Sequence, residues 1–545
     1  MLLPALLLQL TAATTTVPAT STANRARDAV RNEAAVPAPI PTPMRIDRAP
    51  QIDGRDDDEV WRAIPVISDF RQFEPSENGD PTLRTEARIG YDANNLYVLV
   101  RSFDPRPDSV LAVLQRRDNF LLSDDVVVGI DSYNDKRTGY LFRLTPAGSM
   151  AEGYMFNDGE EDWGWNAVWQ GAAKVDSLGW VAEYRIPLSQ LRYVPSGDNT
   201  FGIAIIRRTV RSGERVSWPL IRRSKTGMVS QWGAMPGFQK LSAPRRVELM
   251  PYNVAKYGYK PRGDGSARNV AQTQFGADLK VGLTSNVTLD GAINPDFGQV
   301  EADPGVLNLS AFEQFFAERR PFFLEGSGIF RYDIDCNDGQ CTGLFYSRRI
   351  GRAPQLRNSF GDDASPLQTS IDGAAKITGR LGNGLSIGLL DAVTERVQGT
   401  QSRTIEPLAN YGVMRLQQDL RGGNSGVGVM VTNTTRQLDD WTRDVLRSGA
   451  LTGGFDMRHR FSQNRFQLSA QLAGSRVTGS AAAIARTQRS NVHLYQREDA
   501  SHLAFDSTKT SLAGSMAQMS IDKQGGGITR FSTSAWYIAP GFEIN

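Results

Sequence analysis

Histidine is scarce in this chain. Only His459, His493 and His502 occur in 545 residues. None forms an HExxH motif or a two-histidine helical spacing, so nothing points to a histidine-built zinc enzyme. No GxSxG elbow and no GxxxxGK[ST] phosphate loop is present either. Long apolar runs are missing. Beyond the N-terminus no stretch of about 18 apolar residues exists, so no membrane-spanning helix is expected. Charge of one sign is also lacking. Lys plus Arg is 61 and Asp plus Glu is 59, a formal +2. Without a basic domain, nucleic acid is not an expected partner. Cysteine is limited to Cys336 and Cys341, in CNDGQC. A small disulfide loop in an oxidising compartment is the expectation; two free thiols or a metal site are the alternatives.

What is abundant is glycine, at 52 residues, as tight turns and strands require. Residues 1–23 open with MLLPALLLQL and continue Thr/Ala-rich, with Ser21-Thr22-Ala23 as a cleavage site. That reads as a signal peptide and export. Residues 24–43 read as a linker, because Pro37, Pro39, Pro41 and Pro43 favour an extended chain.

Residues 44–241 carry short alternating segments separated by turn residues. Examples are Glu86–Tyr91, Leu96–Phe103, Asp125–Asp131 and Trp180–Ile186. The pattern predicts an antiparallel β-sandwich. Residues 245–545 alternate over longer segments, such as Leu385–Thr394, Tyr411–Leu420, Leu451–Arg460 and Phe466–Ser475. Tight turns such as Gly422-Gly423-Asn424 and Gln463-Asn464 exchange with longer polar stretches at 397–409 and 435–448. That is the pattern of a transmembrane β-barrel. A soluble solenoid or a second sandwich is the alternative. The fold class is therefore all-β. The final PGFEIN is not an aromatic closing strand, so a truncated barrel or an atypical terminus is expected.

One stretch breaks the alternation: NPDFGQVEADPGVLNLSAFEQFFAERRPFFLEG, Asn294–Gly326, within an insertion at 298–345. Leu309, Phe312, Phe315 and Phe316 fall at helical spacing, with Ser310 as cap and Pro321 as terminator. A helix over Leu309–Glu318 is predicted, lying in the barrel lumen or at one mouth as a plug; an external loop folded back on the barrel rim is the alternative. Arg319 and Arg320 are expected to pair with Glu313, Glu325 or acids on the wall.

The same stretch resembles the signature of a large family of bacterial outer-membrane proteins. Their C-terminal barrel domain follows a family 9-like carbohydrate-binding domain. Upstream, IDGRDDDEVW, YDANNLYVLV, DDVVVGID, WNAVWQGAAK and GWVAEYRIPLSQL resemble family 9 modules. The resemblance implies a protein of the cell outer membrane. Its partners would be outer-membrane lipid and a glycan or polysaccharide.

Aromatic rings stack on sugar faces, while amides and charged groups take the hydroxyls. Asp162-Trp163-Gly164-Trp165-Asn166 supplies both kinds of group. Family 9 modules hold a sugar between two tryptophans, so the resemblance implies Trp163 and Trp165, with Asn166 beside them. Arg116 and Arg117 are expected to reach the same end. Core packing is the competing role for Trp165 and Trp169. The acid runs Asp56–Glu59 and Asp158–Asp162 lack EF-hand spacing and read as solvated faces. The structural calcium of family 9 modules keeps one cofactor open. No other cofactor and no catalytic residue is assigned.

The expected function is glycan binding at the envelope, in capture or catabolism of polysaccharide. A glycoside hydrolase is the alternative, with Glu301 and Asp303, or Glu313 and Glu318, as its two carboxylates. A non-catalytic envelope scaffold is the third reading.

Overall fold

The computed structural model describes residues 8–11, 42–163, 165–193, 196–241, 247–261, 267–284, 286–295, 315–316, 318–332, 334, 343–362, 365–381, 383–499, 501–526 and 529–544. Cys336 and Cys341 lie outside the described residues. So does most of the expected Leu309–Glu318 helix, and all of the expected signal segment except Leu8–Thr11. That short strand pairs antiparallel with Phe531–Ile538.

Two sheets face each other in the N-terminal half. The first runs, in spatial order, Gln170–Asp176, Gly179–Pro187, Asn95–Phe103, Thr85–Tyr91 and Met44–Arg45. The second runs Arg71–Glu74, Glu214–Trp218, Asp198–Thr209, Asp125–Asp131, Gly139–Leu144, Met150–Phe156 and Glu160–Asp162, with Gly233–Gln239 also paired to Asp198–Thr209. Alternation decides which side chains go inside. Val126, Val128 and Ile130 meet Val98, Val100, Trp180 and Tyr184 in one apolar core. The IDGR turn is tied down by Glu183. Its carboxylate accepts the N–H groups of Asp53 (2.9 Å) and Gly54 (2.7 Å) and the indole N–H of Trp61 (2.8 Å). Gly54 sits at φ 81°, and a Cβ there would come within 2.8 Å of the Ala173 carbonyl carbon. Any other residue is strained at that turn.

The C-terminal half forms eleven of the described strands of an antiparallel sheet, with Leu8–Thr11 as the twelfth at its edge. From Val247–Pro261 to Phe531–Ile538 its strands follow chain order. The expected segments lie on these strands: Leu385–Thr394 as predicted, and Tyr411–Leu420 within Ala409–Leu420. One cross-strand row reads Ile387, Leu416, Val429, Phe455, Leu472, Ala517 and Tyr537. Val429, Phe455 and Leu472 on it are exposed. The neighbouring positions face the other way and are Arg415, Met430, Gly454, Ala473 and Met516. On that inner face Arg415 pairs with Asp456. The outer row is thus apolar, while the inner face mixes an apolar cluster with buried ion pairs.

The described residues of the insertion lie on the inner face. The insertion leaves the strand Val287–Ile293 at the end of the sheet carrying the long connections. It reaches the opposite end, where Gly326 meets Thr378, and returns to Ile371–Arg380. Gly388 and Gly454 permit this approach, since a Cβ there would meet Ile329 at 2.7 Å and Leu344 at 2.6 Å. Pro321 begins a short helix, Pro321–Leu324. At the first helical position proline's missing N–H costs nothing. Glu313 lies outside the described residues; the partner described for Arg320 is Glu318. Arg320 Nη2 donates to Glu318 at 2.7 Å, and its guanidinium lies 4.2 Å from the Phe323 ring centroid. Glu325 pairs with Lys280.

The sandwich meets the short-turn end of the large sheet. Arg460 Nη1 donates to Asp158 at 2.8 Å, and Arg530 Nη2 to the Arg223 carbonyl at 2.8 Å. Arg137 pairs with Asp419, beside the turn at Arg421–Gly423. Ser327 of the insertion donates to Asp162 at 2.9 Å.

Candidate functional site

The outer face of the second sandwich sheet carries a groove of about 250 Å³. Its floor is set by register. Ala204, Gly129, Leu141 and Gly153 form one row across four strands, and Ile206, Val127 and Arg143 form the next. Glycine at these positions makes room for flat rings. A Cβ on Gly129 or Gly139 would come within 2.8 or 2.3 Å of the Trp232 ring. A Cβ on Gly153 would meet Trp163 at 2.8 Å. Two indoles therefore lie against the sheet, Trp232 buried and Trp163 half-buried. Phe120 packs edge-on to Trp163 at 4.7 Å and is 46% exposed.

Charged groups stand beside the rings. Arg143 Nε donates to Asp125 at 2.8 Å, and Arg208 pairs with the same carboxylate. Arg143 also lies 5.0 Å from the Phe120 ring centroid. Yet Nη1 and Nη2 of Arg143, Nε of Arg208 and Nε1 of Trp232 are buried without hydrogen-bond partners among the described residues. Buried donors without partners are rare and costly, so each calls for an explanation. Here they line one groove with an aromatic wall. The accessible groups, Phe120, Trp163 and the part-exposed Arg208, can stack an apolar ring face and donate to hydroxyl oxygens at once.

Of the residues singled out from sequence, only Trp163 lines this groove. Its Nε1 donates to Glu161 at 2.7 Å. Trp165 does not join it. It is 7% exposed, with its ring against Tyr140 at 4.8 Å and Phe142 at 6.0 Å. A ring clamped in the core has no face left for a sugar. Arg117 is committed to Glu152, which it grips through Nη2 at 2.6 Å. Glu152 also accepts the Ala167 N–H and the Trp169 indole, so this cluster fastens the loop to the core. Burial, and then the charge of Glu152, push the neighbouring Asp118 up to about 6. Arg116 and Asn166 are exposed and lie outside the groove.

The acid runs have protein partners. Asp56 pairs with Arg101 at 2.6 Å, and Asp158 with Arg460. Among the described residues no group of three or more His, Cys, Asp or Glu side chains converges as a metal site.

Residues 52–232 match the family described as carbohydrate family 9 binding domain-like. Residues 243–545 match the family described as Domain of unknown function (DUF5916). Among solved structures, the chain is similar to a family 9 carbohydrate-binding module from Caldicellulosiruptor kristjanssonii in complex with cellotriose. That match is 16% identical over 36% of this chain and 91% of the other, with a TM-score of 0.27. Pseudomonas putida OprB matches at 10% identity over 76% of this chain and 91% of its own, TM-score 0.22. A loop-deletion mutant of OmpT, an outer membrane protein of Vibrio cholerae, matches at 9% over 54% and 99%, TM-score 0.22. Identities and scores this low leave ligand and activity to the geometry. No curated protein matches the chain. The second family match spans more than half of the sequence, and the chain belongs to the DUF5916 family, with a carbohydrate family 9-like segment ahead of it.

Proposed function

We propose that this protein binds a glycan at the bacterial outer membrane, through the groove of Trp163, Phe120 and Arg208, with Trp232 beneath them as support. One observation carries the reading: the half-buried Trp163 and the exposed Phe120 meet edge-on in a groove that the Asp125 carboxylate and the Arg208 guanidinium also line. Sugars present that combination of apolar faces and hydroxyls. The family 9-like match supports the same ligand class. Asp125 is held by two guanidiniums and places a carboxylate acceptor beside the rings.

The large sheet is read as the wall of a transmembrane barrel. Its outer row is apolar, while its inner face carries ion pairs that hydrocarbon would not tolerate unpaired. Short turns gather at one end and long connections at the other. In outer-membrane barrels the short turns are periplasmic. The sandwich contacts that end, so it belongs on the periplasmic side. The insertion along the inner face then acts as a plug. Residues 1–23 serve as the export signal, and Cys336–Cys341 as a disulfide formed after export.

Full-length protein in detergent should bind members of a glycan array. Trp163→Ala should keep the native spectrum and thermal midpoint while losing about tenfold in affinity, the worth of one stacked ring. A folded variant with unchanged affinity would exclude the groove.

A further inference from the structure

The groove does not end at Trp163. Glu161, on the edge strand Glu160–Asp162, lines it and also lines a second cavity of about 330 Å³. That size lies within the roughly 300–1,000 Å³ of small-ligand sites. This chamber lies between the sandwich edge and the insertion. Phe156 of the sandwich forms one wall, and Phe316, Phe323 and Phe345 of the insertion form others. Arg331 stands in it with its guanidinium 6.0 Å from the Phe156 ring centroid, anchored to Glu160 at 2.8 Å. Gly328 keeps the passage beside Phe156 open, for a Cβ there would come within 3.1 Å of that ring. Past Phe156 and Gly328 the space narrows to about 50 Å³.

We propose that groove and chamber are one track, turning at Glu161, that holds an extended oligosaccharide across the joint between sandwich and insertion. The proposal rests on the glycan-binding reading and deepens it. A single sugar or a short chain would fill the groove alone. Only a longer chain would reach past Glu161 to the phenylalanines of the chamber. The chamber repeats the chemistry of the groove, with aromatic faces beside carboxylate and guanidinium. The insertion is therefore a part of the binding site as well as an obstruction.

The test uses the full chain in detergent and isothermal titration with cello-, xylo- and manno-oligosaccharides of one to six units. In one of these series, six-unit ligands should bind about tenfold or more tighter than three-unit ligands. Ser327→Trp, which fills the chamber, should collapse that ratio toward one. Phe345→Ala, which removes a wall instead of adding bulk, should reduce it as well. Far-UV spectra and thermal midpoints confirm folding. Trp163→Ala should weaken every length together. A wild-type ratio near one overturns the track and leaves the groove standing. A ratio that survives in both folded chamber variants does the same. No binding of any probe by the wild type overturns both the track and the reading beneath it.

Discussion

The two halves of this molecule are written in the same alternating pattern and solve opposite problems. In the sandwich, Val126, Val128 and Ile130 turn inward and Asp125, Val127 and Gly129 turn outward. In the large sheet, Val429 and Phe455 turn outward, while Arg415 and Asp456 turn toward the insertion. Alternation alone says that two faces differ. Which face meets its own kind is decided by what lies against each, a second sheet in one case and a lined interior in the other.

Four substitutions would break or sharpen that contrast. Trp165→Ala should cost about 3–5 kcal/mol, because it empties a packed aromatic site. Chemical denaturation would read this, and Trp163→Ala, two residues away, should fall well short of it. Arg460→Ala should cost about 3 kcal/mol, since it strands the buried Asp158 carboxylate where the halves meet. A drop in thermal midpoint of several degrees would show it, and Arg497→Ala, at an exposed pair, should leave the midpoint nearly unmoved. Val429→Arg should cost about 2–4 kcal/mol in a bilayer and abolish insertion into lipid vesicles. If insertion survives, the outward face does not meet lipid.

The smallest effect concerns pH. Burial, and then the charge of Asp135, push Asp131 up to about 7. Its carboxylate accepts the N–H groups of Asp135 at 3.1 Å and Lys136 at 2.9 Å. A folded value above the usual 3.8 means that the fold prefers the protonated acid. The associated stability is full below about pH 4 and is lost as pH rises toward 7. Asp131→Asn should therefore gain stability relative to wild type by roughly 1 kcal/mol or more between pH 5 and pH 8. Urea unfolding at both pH values reads the difference, and a constant difference would dismiss Asp131 as its source.

Much of the strand layout was legible because period-two alternation survives in either solvent. Phe531–Ile538, FSTSAWYI, was missed: its small and hydroxyl residues mute the contrast between faces. Among the tryptophans, the site was half legible. Trp163 and Trp165 look equivalent in WGWN, but the edge strand ends at Asp162 and lets the second ring turn into the core. Trp232 and Arg143 were missed, since neither is near that loop in sequence. A signal did exist. Gly129, Gly139 and Gly153 sit at outward positions of three consecutive strands, where a side chain would ordinarily be placed.

That glycine floor makes the binding face unusually sensitive to the smallest heritable change. At each of the three positions, adding one methyl group intrudes on an indole ring. The sandwich core lies on the other side of the sheet and would feel little of it. Variation there would tilt or lift a tryptophan and so reshape the ligand surface, while the fold behind it stays the same. Sugar preference could then drift between relatives without any change in the aromatic residues themselves, and an alignment of tryptophans alone would not record it.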